Sequence, residues 1–406
     1  MTEGKLADWR LVAGSALALL VGNGPIMQFT FGVLHKPIEA EFGVGRGTAS
    51  LVLTLGLLAT ALALPFAGQI ADRTKPKVFS LLAVFGFGLL LIMTGLLSHS
   101  IGALALLVFL TGLLAAGHTP LPFVRLISAR FDRRRGLALA CCLTGIGIGA
   151  AIVPVALQHV VSQFGWRGGY VFLGVAVWTV AGISVLTSMP STMPDHAKQV
   201  QRSRSDAERQ YLRDPTFWLM LLSVSLTALC ANGIIAHLVP MMSDRGIGPG
   251  EAAEVIIWIG AATVLGRFLG GLLLDRFWAP GVAIVFVAAM AGGILLLLGG
   301  ITTEHFAIVA FILGFGLGVE ADLVGFLVSR YFPLERFGEL FGLMFGAFML
   351  ANSAGPLALG MMYSASGSYD IGLKMFALCL IIACILFSRL GGYRFASQAG
   401  ALAQGH

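Results

Sequence analysis

Twelve apolar stretches, each near the length that crosses a lipid bilayer, constrain this chain more than any other feature. They run over 11–34, 47–71, 77–98, 101–129, 135–160 and 167–189, then 215–242, 250–273, 280–300, 304–330, 336–362 and 369–390. About 20 apolar residues are needed to span the hydrocarbon core as a helix. Only a helix or a closed barrel satisfies its backbone polar groups there. Of the 406 residues 11% are charged, and the mean hydropathy is +0.89, against about 25% charged in a soluble domain. Lipid is therefore the expected solvent for most of the surface. The N-terminus MTEGKLADWR is short and polar, and the apolar run after it is too long for a signal peptide, so no cleaved leader is expected.

The spans fall into two sets of six. The one long polar stretch, 190–214, reads as a linker between a bundle over 1–189 and a bundle with a short tail over 215–406. Pro37, Glu41, Gly43, Gly45, Gly47 and Ala49 recur at a shift of 203 residues as Pro240, Asp244, Gly246, Gly248, Gly250 and Ala252. At the same shift Gly68, Asp72 and Arg73 recur as Gly271, Asp275 and Arg276; further on, Ser128 and Phe131 recur as Ser329 and Phe332 at a shift of 201. The expected fold is all-α: twelve transmembrane helices as two pseudo-symmetric six-helix bundles, a plan used by secondary transporters. With the termini, the linker and the even-to-odd loops on one side, that side holds 19 basic residues and the other holds 5. The positive-inside rule then places both termini in the cytoplasm, as expected for a multi-pass inner-membrane protein. Because the basic residues sit in loops between spans, the net charge of +6 does not indicate nucleic acid as a partner.

The remaining two basic residues, Arg125 and Arg267, lie inside spans. A cation at the centre of a membrane helix costs about 2.5–3.5 kcal/mol and marks a functional site by default. Arg267 sits mid-span in IIWIGAATVLGRFLGGLLL, and its guanidinium is a fixed fork matched to a carboxylate. Arg125, one turn from a span end, is expected to snorkel to the interface. Glu320 and Asp322 are acids deep in the tenth span, and about 200° of helix rotation keeps them off one face. Either could carry a coupling proton, or form a structural ion pair with Arg267. His118, followed by the helix-breaking Pro120 and Pro122, could orient substrate, and so could Gln28, Phe29, Asn232, Asn352 and Ser353; each could equally serve helix contacts. Arg267, Glu320 and Asp322 have no charged counterpart in the other repeat, as expected of residues kept for a ligand rather than for the fold. The five cysteines show no metal spacing and read as packing residues. No Walker-type phosphate loop, metal constellation or nucleophile–base–acid set is present, so no ATP drive, metal, cofactor or enzyme activity is expected.

The stretch GQIADRTKPK (68–77) resembles the loop 2–3 signature of the major facilitator superfamily. Lys75 and Pro76 stand where that pattern usually has a glycine and a basic residue. The stretches FTFGVLHKPIEAEFG (29–43), RFDRRRGLALACCLTGIGIG (130–149), GWRGGYVFLG (165–174) and AHLVPMMSDRGI (236–247) are similar to the monocarboxylate carriers and oxalate/formate exchangers within it. The resemblance covers essentially the whole chain. It implies a central carboxylate site, with Arg267 at the position of that branch's eighth-span arginine. It also implies that Gly68, Asp72, Arg73, Asp275 and Arg276 lock the inner helix ends together, with ion pairs that close the cytoplasmic side. Animal monocarboxylate carriers have an Asp four residues before the arginine; Thr263 stands there, so the coupling acid must lie elsewhere. The expected function is alternating-access symport of a small carboxylate with protons by a monomer in the lipid bilayer. The alternatives are an organic-anion exchanger, an efflux carrier of amphipathic or zwitterionic compounds, or a transport-dead ligand sensor.

Overall fold

The computed structural model describes residues 6–44, 46–132, 134–192, 210–244, 249–299, 303–333 and 336–395. Residues 193–209 of the expected linker, and Gly45, Gly246 and Gly248 of the repeated loop, lie outside these. Among the described residues, eleven helical stretches are long and apolar enough to cross a membrane. One of them, Arg135–Ser188, has 54 residues, about 80 Å of helix. Gly165, at φ 71°, breaks it, because only glycine takes that conformation without strain. It therefore supplies two crossings, and the count is twelve.

In chain order the helices are α1 (Leu6–Leu20), α2 (Phe31–Phe42), α3 (Arg46–Arg73), α4 (Pro76–Leu97), α5 (Ile101–Ala115), α6 (Leu121–Arg130), α7 (Arg135–Ala176) and α8 (Gly182–Ser188). They continue as α9 (Pro215–Asp244), α10 (Pro249–Arg276), α11 (Ala279–Leu298), α12 (Thr303–Tyr331), α13 (Phe337–Ser366) and α14 (Asp370–Ser388). A π-turn over Gly24–Gln28 follows α1, and a 3-10 turn over Ala116–His118 separates α5 from α6. The first and fourth spans are thus interrupted where Pro25 and Pro120 withhold an N–H.

The chain forms two compact units. The first comprises Met1–Asp132, Cys141–Arg204 and Leu334–Gly346; the second comprises Arg133–Ala140, Ser205–Pro333 and Ala347–His406. Each has its own packed interior, with Phe87, Phe123 and Phe131 fully buried in the first and Phe217, Phe286, Phe326 and Phe376 in the second.

The repeated Gly-x-x-x-Asp-Arg element does the same work twice. In the first unit, Gly68 lies so close to the Gly338 carbonyl that a Cβ would collide with it. The Asp72 carboxylate accepts the backbone N–H groups of Gly338 and Glu339, both at 2.9 Å. In the second unit Gly271 lies against Gly136, and Asp275 accepts from the N–H groups of Gly136 and Leu137 at 2.6 and 3.0 Å. A carboxylate at a helix N-terminus meets orphan donors and the positive end of the dipole. Asp72 and Asp275 thus cap α13 and α7, Asp72 also pairs with Arg125, and Arg73 and Arg276 end their helices exposed.

Arg125 corrects an expectation. It does not snorkel: it is 5% exposed, its Nε lies 3.1 Å from Asp72, and its other nitrogens donate to the carbonyls of Ala71 and Asp72 at 2.6 and 3.3 Å. A buried carboxylate needs a partner, and the helix cap alone leaves Asp72 with an unbalanced charge. Elsewhere in the first unit, the Arg167 guanidinium bonds the Glu41 carboxyl and stacks on Trp166. That contact is chiefly what holds the Glu41 carboxyl below the usual Glu range.

Candidate carboxylate and proton site

The site begins with glycine. Gly266 and Gly270 of α10, and Gly314 and Gly318 of α12, are small residues at four-residue spacing, which lets membrane helices approach closely. A Cβ on Gly266 would meet the Phe315 backbone, one on Gly314 the Ile259 backbone, and one on Gly318 the backbones of Arg267, Thr263 and Gly266. Phe315, Gly318, Val319 and Asp322 form one stripe of α12, at the i, i+3, i+4, i+7 positions of a helix face.

The Arg267 side chain is 14% exposed, and its guanidinium reaches α12. Its Nε lies 3.4 Å from the Gly318 carbonyl and 3.8 Å from Asp322 Oδ2. A tight charge-assisted N–H···O contact is about 2.8 Å, so this Nε contact is loose. Asp322 is 1% exposed, and neither of its oxygens has a hydrogen-bond partner among the described residues. Thr263, one turn before Arg267, turns its hydroxyl to the Ile259 carbonyl at 2.7 Å.

Glu320 goes the other way, as 200° of rotation requires. It is 6% exposed and neighbours Cys230 of α9, whose thiol lies beside Cys379 of α14. The two acids thus have different surroundings: Asp322 lies beside a cation, and Glu320 lies near the Cys230 thiol.

Two other candidates stand where backbone carbonyls have lost their donors. Pro356 of α13 has no N–H, so the Asn352 carbonyl one turn earlier has no helical partner; Asn232 of α9 supplies one through Nδ2 at 2.7 Å. His237 lies one turn further along α9, 2.9 Å from the Pro356 carbonyl and 3.2 Å from the Tyr369 hydroxyl. In the first unit, Pro25 frees the Val21 carbonyl. The Gly22 N–H turns to Leu19 at 3.0 Å, which frees Ala18. The His118 ring, fully buried between Phe87 and Phe123, faces these two carbonyls; neither ring nitrogen is at hydrogen-bond geometry. Of the rest, Gln28 ends the π-turn half-buried, Phe29 is 45% exposed, and Ser353 is exposed with its hydroxyl on the Met349 carbonyl. Arg267, Asp322, Glu320, Asn232, Asn352 and Ser353 belong to the second unit; His118, Gln28 and Phe29 belong to the first.

Twelve helical crossings among the described residues, in two units that each hold an Arg–Asp pair, fit a polytopic membrane protein of the secondary-transporter class. The description Major Facilitator Superfamily matches residues 17–356, and the chain belongs to that family. It is 24% identical over 280 residues to the MFS transporter asaE of Aspergillus flavus, covering 67% of this chain and 62% of the relative. It is 25% identical to monocarboxylate transporter 11 of Homo sapiens, over 89% of this chain and 78% of that protein. The fold resembles the proton:xylose symporter XylE bound to 6-bromo-6-deoxy-D-glucose, with a TM-score of 0.75 and 13% identity over 97% of this chain and 98% of that one. The protein is a multi-pass membrane transporter and not an enzyme.

Proposed function

We propose that this transporter carries a small monocarboxylate together with one proton, and that Arg267 and Asp322 form the coupling site. The observation that carries this reading is the loose contact between the part-buried Arg267 and the buried Asp322. A water-poor site does not tolerate net charge. Empty, the pair is neutral: one guanidinium against one carboxylate. When a substrate carboxylate takes the guanidinium, Asp322 is displaced and neutrality returns only if it gains a proton. One anion therefore enters with one proton, and the cycle is electroneutral. The substrate carries a single anionic group, because the other intramembrane cation, Arg125, is engaged by Asp72. Glu320, on another face of α12, has no ion pair among the described residues and takes no part.

The similarity to monocarboxylate transporter 11 supports the substrate class. The excess of basic residues on one side of the membrane supports a cytoplasmic location for both termini and an inner-membrane setting. The two repeats alternate access to the site.

Reconstituted in liposomes, the protein is expected to acidify the lumen as a labelled monocarboxylate enters. Asp322→Asn is expected to keep substrate exchange but lose at least about 10-fold of the coupled acidification, the effect of removing roughly 1.4 kcal/mol of coupling. Acidification at the wild-type rate in Asp322→Asn contradicts the assignment. Carriage of no monocarboxylate by the wild type contradicts the function.

A further inference from the structure

The Arg267–Asp322 pair is set in place by helix packing. Gly318 contributes twice. Its missing side chain is what admits α12 to the backbone of α10, since a Cβ would land on the Arg267 nitrogen, the Thr263 carbonyl and Gly266. All three are backbone groups, and none can rotate aside. Its carbonyl also lies 3.4 Å from Arg267 Nε, which orients the fork. Asp322 follows one turn later on the same stripe. The depth of this glycine contact therefore fixes how far the carboxylate sits from the guanidinium.

We propose that Gly318 is a positioning residue for the clamp. By holding Arg267 and Asp322 near 3.8 Å, it keeps them close enough to neutralise each other and loose enough for a substrate carboxylate to intervene. The proposal rests on the reading of Arg267 and Asp322 given above. Gly314 provides the control. It lies in the same stripe, one turn earlier, and its Cβ would meet Ile259, about 12 Å along α10 from Arg267. Substitution there loosens the same interface without touching the pair.

The experiment compares wild type, Gly318→Ala and Gly314→Ala in liposomes. It measures counterflow of a labelled short monocarboxylate against pH, and thermal stability in detergent. Both variants are expected to melt earlier. Only Gly318→Ala is expected to raise KM about 10-fold and to move the pH midpoint of transport by about one unit. An unchanged KM and midpoint in Gly318→Ala overturns the positioning role, as does an equal shift in Gly314→Ala. If Gly318→Ala does not reach the membrane, Gly270→Ala tests the same level from the α10 side. The nearest atoms its Cβ meets are those of the Val319 side chain, so adding Val319→Ala should restore KM and midpoint. An unaltered KM and midpoint in Gly270→Ala also refutes the proposal. A wild type that carries no monocarboxylate sinks the underlying reading; a transporting wild type with an indifferent Gly318→Ala sinks only this one.

Discussion

The α3–α5 pairing of the first unit and the α10–α12 pairing of the second are built on one packing grid and differ in charge. Thr60 and Thr263 occupy the same register, 203 residues apart. Thr60 donates to the carbonyls of Gly56 and Gly112 at 2.9 and 2.8 Å, and Thr263 donates to Ile259 at 2.7 Å. Gly112 lies on the Gly56 backbone and Gly314 on the Ile259 backbone. One turn beyond the threonines the copies part. Leu64, fully buried and apolar, stands in the first, and Arg267 stands in the second. The fourth span then breaks at Ala116–His118, whereas α12 runs on through Glu320 and Asp322. What both copies hold builds the helix contact. What only one holds is available for chemistry, and the cation and the acid facing it occur together in that copy alone.

Leu64→Arg gives the mirror-image charge to the first unit and breaks this asymmetry most severely. Leu121 of α6 stands at the place that corresponds to Asp322, so the repeat supplies no acid to meet the cation. The expected penalty is about 2.5–3.5 kcal/mol, read as loss of membrane-inserted protein and of thermal stability. Wild-type yield and stability would show that the grid tolerates charge without a partner.

A smaller effect sharpens the comparison at the helix breaks. Asn232 is needed because Pro356 withholds a donor from the Asn352 carbonyl. Asn232→Ala should cost about 1 kcal/mol, the usual worth of a hydrogen bond to a group otherwise left unmet. Pro356→Ala, which gives the helix back its N–H, should remove that cost. Equal losses of melting temperature in both backgrounds would show that Asn232 does something other than serve the kink.

Much of this was legible in the residues. Span lengths follow from apolar runs, the duplication shows in Gly68, Asp72 and Arg73 against Gly271, Asp275 and Arg276, and the separation of Glu320 from Asp322 follows from helix rotation alone. Arg267 stood out because a mid-span cation has few explanations. Other features were hidden because they depend on which helices become neighbours. That Arg125 would meet Asp72 rather than the interface required α6 to lie against the end of α3. That Asp72 and Asp275 would cap helices required the starts of α13 and α7. The carbonyls that His118 faces are freed by Pro25 and by the turn at Gly22, about a hundred residues away in sequence. Gly266, Gly270, Gly314 and Gly318 carried a readable four-residue spacing, but in a chain with 53 glycines that spacing alone does not single out one helix pair.

The central claim is that the Arg267 fork receives a carboxylate. The most direct measurement is counterflow of a labelled short monocarboxylate by Arg267→Lys in liposomes. Lysine keeps the charge and loses the paired donors. The account predicts an affinity loss of about 10- to 100-fold, the worth of one charge-assisted contact. Transport at wild-type affinity would contradict it.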